Sequence, residues 1–212
     1  MSTPPLIIAV DGPAAAGKGT LARRLAASLG LPYLDTGLLY RATGRRVLDA
    51  GADPFDPQAA EAAARSLTPA DMERGDLRGP EADRAASAVA AIPAVRAALL
   101  DFQRGYGRTK GAVLDGRDIG TVIFPDAPVK LFITASPEAR AHRRWLELQA
   151  KGAAPAPASV AAEMAERDAR DEARAAAPLR PAVDATLIDT TSMDADAVFD
   201  AALSLVRKRF HA

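Results

Sequence analysis

Gly12, Gly17 and Lys18 stand in the stretch DGPAAAGKGT with the spacing G-x-x-x-x-G-K. Glycines at those places let successive backbone N–H groups turn inward around an anion, and a lysine directly after the second reaches the outer phosphates of a polyphosphate. The flanks suit this chemistry. An apolar run, LIIAV, precedes the stretch and a helical pattern, LARRLAASLG, follows it. The partial positive charge of a helix start would add to the cradle. A glycine-rich turn without a ligand is the other reading. In the strict motif Ser or Thr follows the lysine at once. Here Gly19 intervenes before Thr20, which leaves direct ligation of Mg²⁺ by a hydroxyl without its usual residue.

A second acid-bearing stretch is AVLDGRD, residues 112–118. Asp115, at the end of an apolar strand beside the cradle, would hold Mg²⁺ through water; a plain turn residue is the alternative. Arg140, Arg143 and Arg144 fall at i, i+3, i+4, and Arg167, Asp171 and Arg174 at i, i+4, i+7. Each set shares one helix face, where like charges repel. A solvated face balanced by Glu163–Arg167 and Glu166–Arg170 pairs is one account. The other is a lid, since a polyphosphate underneath turns the repulsion into attraction and closure expels water. Arg41 in DTGLLYR and Arg117 in DGRD follow strand ends, where open parallel sheets bind ligands. Guanidinium is the planar fork suited to phosphate. The acceptor is therefore expected to be itself a phosphate, already anionic and in need of no base. Catalysis then reduces to positioning and neutralising a phosphoryl group in flight. Two readings compete: a hydroxyl acceptor with Asp35 as its base, and a nucleotide-binding regulator without turnover.

The elements that must position these groups alternate in type. Short β-rich runs at Leu6–Val10, Pro32–Leu34, Ala112–Leu114, Val129–Thr134 and Thr186–Asp189 are separated by amphipathic segments such as Thr20–Leu29 and Leu38–Ala50. Apolar runs of that length suit parallel strands buried on both faces, with helices as crossovers. Val198, Ala202, Leu205 and Val206 form the stripe of a last helix over 194–210. Residues 55–92 break the alternation with turn signals at Thr68-Pro69, Gly75 and Gly79-Pro80, and read as a small insert. KGAAPAPAS, residues 151–159, reads as a loop between two charged helices, the second capped by Ser159. Trp145 is expected to pack rather than stack on a base, and His142 to lie at a helix surface. His211 belongs to the terminus, where fraying is expected.

Composition narrows the classes. The chain has 212 residues, 27 Lys plus Arg against 27 Asp plus Glu, and no cysteine. Zero net charge speaks against a broad nucleic-acid or membrane footprint. Thiolate chemistry and cysteine-held metal are excluded, and two histidines do not make a His-rich metal site. No basic leader or membrane-length apolar run is visible, so the chain is expected in the cytoplasm, and with no unexplained apolar stripe that demands a partner a monomer is expected.

Four blocks together resemble bacterial cytidylate kinases, in the nucleoside monophosphate kinase family: IIAVDGPAAAGKGTLA, YLDTGLLYR, AVLDGRDIGTVIFPDAPVKLFITAS followed by ARAHRR, and ERDARDEARAAAPLRPA. ASAVAAIPAVRAALL is a weaker fifth. The resemblance implies an α/β fold of P-loop NTPase type, with a parallel five-stranded sheet core flanked by helices, a shortened NMP-binding insert and a helical lid. It places the core at 1–54 and 93–212, the insert at 55–92 and the lid at 145–170. The implied reaction moves the γ-phosphate of ATP to CMP or dCMP. Gly12, Pro13, Ala14, Ala15, Ala16, Gly17, Lys18, Gly19 and Thr20 would hold the ATP phosphates. Arg41, Arg117 and Arg174 would hold the CMP phosphate, and Arg167 and Asp171 the ribose. Ser87, Arg96 and Asp118 would read the cytosine, and Thr36 keeps a hydroxyl on the acceptor side. Arg140, Arg143 and Arg144 would lie near the transferred phosphoryl, with Lys18, Arg117, Arg143 and Arg174 as the catalytic set. Departures from the family pattern are the short, turn-rich stretch 66–80 and Glu172-Ala173 in place of a more basic or polar pair.

Overall fold

The computed structural model describes residues 5–210; His211 lies outside the described residues. Its centre is a parallel sheet of β1 (Ile7–Asp11), β2 (Tyr33–Asp35), β3 (Ala112–Gly116), β4 (Val129–Thr134) and β5 (Thr186–Asp189), in the order β2-β3-β1-β4-β5. β1 lies between β3 and β4, with Ile8 opposite Val113 on one side and Val129 on the other. All five residues of β1 and of β3 are buried. Their side chains alternate faces with the two-residue period of a strand. Ile8 and Val10 pack with Leu21 and Leu25 of α1 (Lys18–Leu29) and with Val198, Ala202 and Val206 of the last helix, α9 (Ala195–Phe210). Ile7 and Ala9 face the other way, onto Leu114, Ile119 and Ile123, with Leu100 and Tyr106 of α6 (Pro93–Arg108) packed against them.

A second cluster has no strand in it. It joins α2 (Thr36–Asp49), α3 (Pro57–Arg65), α5 (Pro80–Val89) and α6 through Leu39, Val47, Val89, Val95 and Leu99, filled in by Ala60, Ala63, Ala64, Ala86 and Ala90. α4 (Pro69–Met72) is a single turn between α3 and α5. The alanines let helices approach closely: a Cβ on Gly44 of α2 would lie 2.8 Å from the Cβ of Ala85 on α5. Proline opens α3, α5 and α6 at the position where its missing N–H costs nothing, and the Asp56 carboxylate accepts from Gln58 N at 2.9 Å to cap α3. Residues 66–80 hold no strand, as their turn-rich sequence suggests.

α7 (Pro137–Ala150) and α8 (Pro157–Glu172) form a helix–loop–helix against the cradle, with Leu148, Val160 and Met164 buried and Ala14, Ala15 and Trp145 packed against them. Trp145 packs as expected and donates to Pro155 O at 3.2 Å. The start of α8 departs from expectation. Ala156 is the flanking residue, Pro157 takes the first helical place, and Ser159 is an exposed first-turn residue that caps nothing. Proline sets the start here because its φ is already helical. A π-helical turn at Ile119–Ile123 was also unforeseen.

Candidate active site

The strand β1 ends at Asp11, and Gly12 begins the cradle. Gly12 has φ +148°, and a Cβ there would lie 2.0 Å from Ile133 O, so the turn passes β4 with room for no side chain. Gly17 follows at φ +90° and Ala15 at φ +56°, a left-handed residue that an alanine adopts only at some cost. Turned backbone of this kind lets successive N–H groups face an anion, and α1 starts directly behind it. Lys18 is buried and donates to Pro13 O at 3.2 Å. Burial, and then the Arg117 guanidinium, push its ammonium down to about 7, against the pull of Asp115. A lysine held this way gives up its proton easily until an anion joins it.

Gly19 explains the departure from the strict motif. A Cβ there would meet Asp115 Oδ2 at 3.0 Å, so the side chain at this place is removed and the hydroxyl comes one residue later, on Thr20, which lines the cavity. Asp115 accepts from the Tyr33 hydroxyl at 2.9 Å, and burial raises its pKa with Lys18 opposing. Among the described residues no cluster of three or more His, Cys, Asp or Glu could hold a metal alone. One buried carboxylate facing a phosphate cradle does suit Mg²⁺, a hard cation that keeps waters and borrows ligands from substrate phosphates.

Cradle and arginines meet in one cavity of about 330 Å³, large enough for a small ligand. Of the expected residues, Ala14, Ala15, Gly17, Lys18, Gly19, Thr20, Thr36, Arg41, Ser87, Arg96, Asp115, Arg117, Asp118, Arg167, Asp171 and Arg174 line it. Gly12, Pro13 and Ala16 shape the turn behind. The Thr36 hydroxyl is spent on Asp115 O at 2.8 Å, fastening the start of α2 to the end of β3.

The three arginines of α7 do not act as one face. Arg140 is buried, donates to Ala14 O at 3.4 Å and pairs with Asp168 at 2.7 Å, holding the cradle from outside. Arg143 turns to Thr190, with contacts of 3.0 Å to Oγ1 and 2.5 Å to the carbonyl, and is not among the cavity-lining residues. Arg144 is the one that reaches the cavity. Residues one apart on a helix point about 100° from each other, which separates the two. The surface pairs Glu163–Arg167 and Glu166–Arg170 do not form among the described residues; Arg167 faces the cavity instead.

Within the cavity the cations are held by carboxylates. Asp171 accepts from Arg117 Nε at 3.0 Å and from Arg174, and Asp118 pairs with Arg96. The balance remains positive: eight arginines and Lys18 line the cavity against six carboxylates. Burial, and then Arg117, lower Arg167 to about 10. Ser87 Oγ, Arg167 Nε and Arg174 Nε are buried without a hydrogen-bond partner among the described residues. Unspent donors in a positive cavity ask for an anionic ligand with polar groups.

Sequence reasoning missed Asp11, Tyr33, Arg78 and Asp83. Asp11 accepts from Ile119 N and Gly120 N, both at 2.8 Å, and so grips the turn that follows Arg117 and Asp118; burial raises its pKa to about 7. An acid at the end of the strand before the cradle was the available signal. Arg78 and Asp83 gave no local signal, because their partners are distant in the chain.

A parallel sheet in this order, with a phosphate cradle after its central strand and cations across the cavity, defines the chain as a P-loop phosphotransferase. Solved structures bear out the fold. A gluconokinase from Sinorhizobium meliloti 1021 superposes with a TM-score of 0.52 at 16% identity, over 98% of this chain and 94% of its own. An uncharacterised protein from Eubacterium ventriosum gives 0.54 at 14%, over 95% and 98%. Within that class the chain belongs to the cytidylate kinase family, whose model matches residues 8–208. It is 66% identical over 206 residues to a cytidylate kinase of Acidiphilium cryptum, covering 97% of each chain. Identity to one of Granulibacter bethesdensis is 65% over 205 residues, 97% of this chain and 98% of that one.

Proposed function

We propose that the chain transfers the γ-phosphate of ATP to CMP or dCMP, releasing ADP and CDP or dCDP. The observation that carries the choice of acceptor is the group at the inner end of the cavity. Asp118 is buried and paired with Arg96, and the Ser87 hydroxyl is buried without a partner. A carboxylate held there accepts from the cytosine 4-amino group. Uracil would present a carbonyl to it and leave both oxygens without a shared proton.

The cradle at 12–20 binds the ATP phosphates, and Lys18 recovers its full charge as they arrive. Arg41, Arg117 and Arg174 take the acceptor phosphate, and Arg167 and Asp171 meet the ribose. Mg²⁺, held by Asp115 through water, would neutralise charge on the transferring phosphates. Arg144, rather than Arg143, supplies the lid cation nearest the reaction. No side chain needs to remove a proton, since the attacking oxygen is already anionic. The lid is residues 145–170, from the end of α7 through most of α8, over a core of 1–54 and 93–212, and residues 55–92 are the NMP-binding insert. Among the described residues no single helix is long and apolar enough to cross a membrane. The proposal includes a monomer working in the cytoplasm.

The test is ADP release with ATP and Mg²⁺ against CMP, dCMP, UMP, AMP, GMP and a hydroxyl acceptor such as shikimate. Selective turnover of CMP and dCMP is expected. Turnover of the hydroxyl acceptor alone would overturn the reading of the arginines, and turnover of none would overturn the reaction.

A further inference from the structure

Asp83 of α5 is the meeting point of three other helices. Its Oδ1 accepts from Arg41 Nε of α2 at 3.0 Å, its Oδ2 from Arg144 of α7 at 2.6 Å, and Arg167 of α8 stands 3.7 Å from Oδ1. Its side chain is 14% exposed, so water and salt screen it poorly. Among the described residues, every ion pair and side-chain hydrogen bond between residues 55–92 and helices α7 and α8 ends on this carboxylate. Take it away and the guanidiniums of Arg41 and Arg167 face that of Arg144 across the mouth of the cavity, with only Arg144 keeping a carboxylate, Glu147 at 2.8 Å. Like charges at such range cost enough to drive the helices apart.

The way Arg41 is held matters as much. It gives Asp83 its Nε, and among the described residues its two terminal nitrogens make no hydrogen bond. The fork is thus aimed and left open. We infer that Asp83 is a positioning residue: it holds α7 and α8 down onto α5 before any nucleotide binds and points the Arg41 fork at the acceptor phosphate. That the ligand is the phosphate of CMP rests on the function proposed above. The rival role, an internal anion that the acceptor phosphate must displace, predicts the opposite sign, because removing a competitor tightens binding.

The experiment uses the full chain with Asp83→Asn, Asp83→Glu and Arg144→Gln, each checked by thermal unfolding. Hydrogen exchange of the ligand-free protein is followed over residues 151–165, alongside steady-state kinetics with ATP and CMP. Asp83→Asn is expected to speed exchange there about tenfold and raise KM for CMP about tenfold, the worth of one charge-assisted contact, with KM for ATP within about twofold. Asp83→Glu should restore most of both, and Arg144→Gln should reproduce the faster exchange. Unchanged exchange in Asp83→Asn and Arg144→Gln, or a lowered KM for CMP in Asp83→Asn, overturns the inference. Should Asp83→Asn fail to fold, Arg144→Gln alone decides the exchange. Should the natural chain not turn over CMP, the function fails, while exchange still decides whether Asp83 holds the lid.

Discussion

The cradle at residues 12–20 is made of backbone, and the basin across from it is made of side chains. The cradle is a run of nine successive residues, all but Pro13 carrying a backbone N–H, whose path is fixed by Gly12 against Ile133 and by the start of α1. The basin draws guanidiniums from α2, α6, the end of β3 and α8, and holds them with Asp83, Asp118 and Asp171. A backbone site has little freedom to lose when ligand arrives. A side-chain site has to be kept in order by internal anions, some of which must then share their cations with the ligand. The first kind fails by misfolding or by losing its one cation; the second fails by degrees.

The largest expected effect separates the two by activity. Lys18→Ala should lower kcat at least about a thousandfold, in the upper range for loss of one preorganised charge contact, while circular dichroism shows the fold intact. Next comes the backbone itself. Gly12→Ala puts a methyl 2.0 Å from Ile133 O and should cost about 3 kcal/mol or more in urea unfolding, as strained core changes do. Retained stability would mean that the cradle is not the rigid partner. The basin should behave otherwise. Asp118→Ala should raise KM for CMP roughly 10- to 100-fold, the scale of a lost charged hydrogen bond, and leave KM for ATP almost unchanged. An equal loss for both substrates would erase the distinction.

The smallest effect is a fraction of a proton. With Lys18 at about 7 in the free protein against 10.5 for the ordinary side chain, the unfolded chain holds the extra proton between those values. Stability from this group therefore rises with pH across about 7 to 10.5, and its cost is full below 7. ATP phosphates reverse the shift, so binding at pH 7.5 should take up protons. Calorimetry in buffers of different ionisation enthalpy would measure the uptake, and Lys18→Met should abolish it.

The same contrast decides what could be read from the sequence. The cradle was legible because its parts are neighbours and its flanks announce themselves as strand and helix. All five strands were found, with β4 and β5 matched end to end and the others within two residues. α1 begins at Lys18 rather than Thr20 because the cradle turns directly into the helix. Spacing at i+3 and i+4 did not tell Arg143 from Arg144: the cavity meets only the narrower sector that holds Arg144, and Arg143 turns to Thr190. Asp83 was invisible: its hydrogen-bonded partners lie 42 and 61 residues away, and an exposed-looking PEADR run gives no hint of a shared carboxylate.

The short approach of α2 to α5 at Gly44 and Ala85 has a consequence for pocket size. Arg41 and Ser87, on those two helices, are separated by a gap that alanine methyls set some distance from the cavity. Alanine has no rotamers to exchange, so that gap has a single width. The spacing of Arg41 and Ser87 is thus set by Gly44 and Ala85, which do not line the cavity, and a designer wishing to widen the cavity would have to begin there.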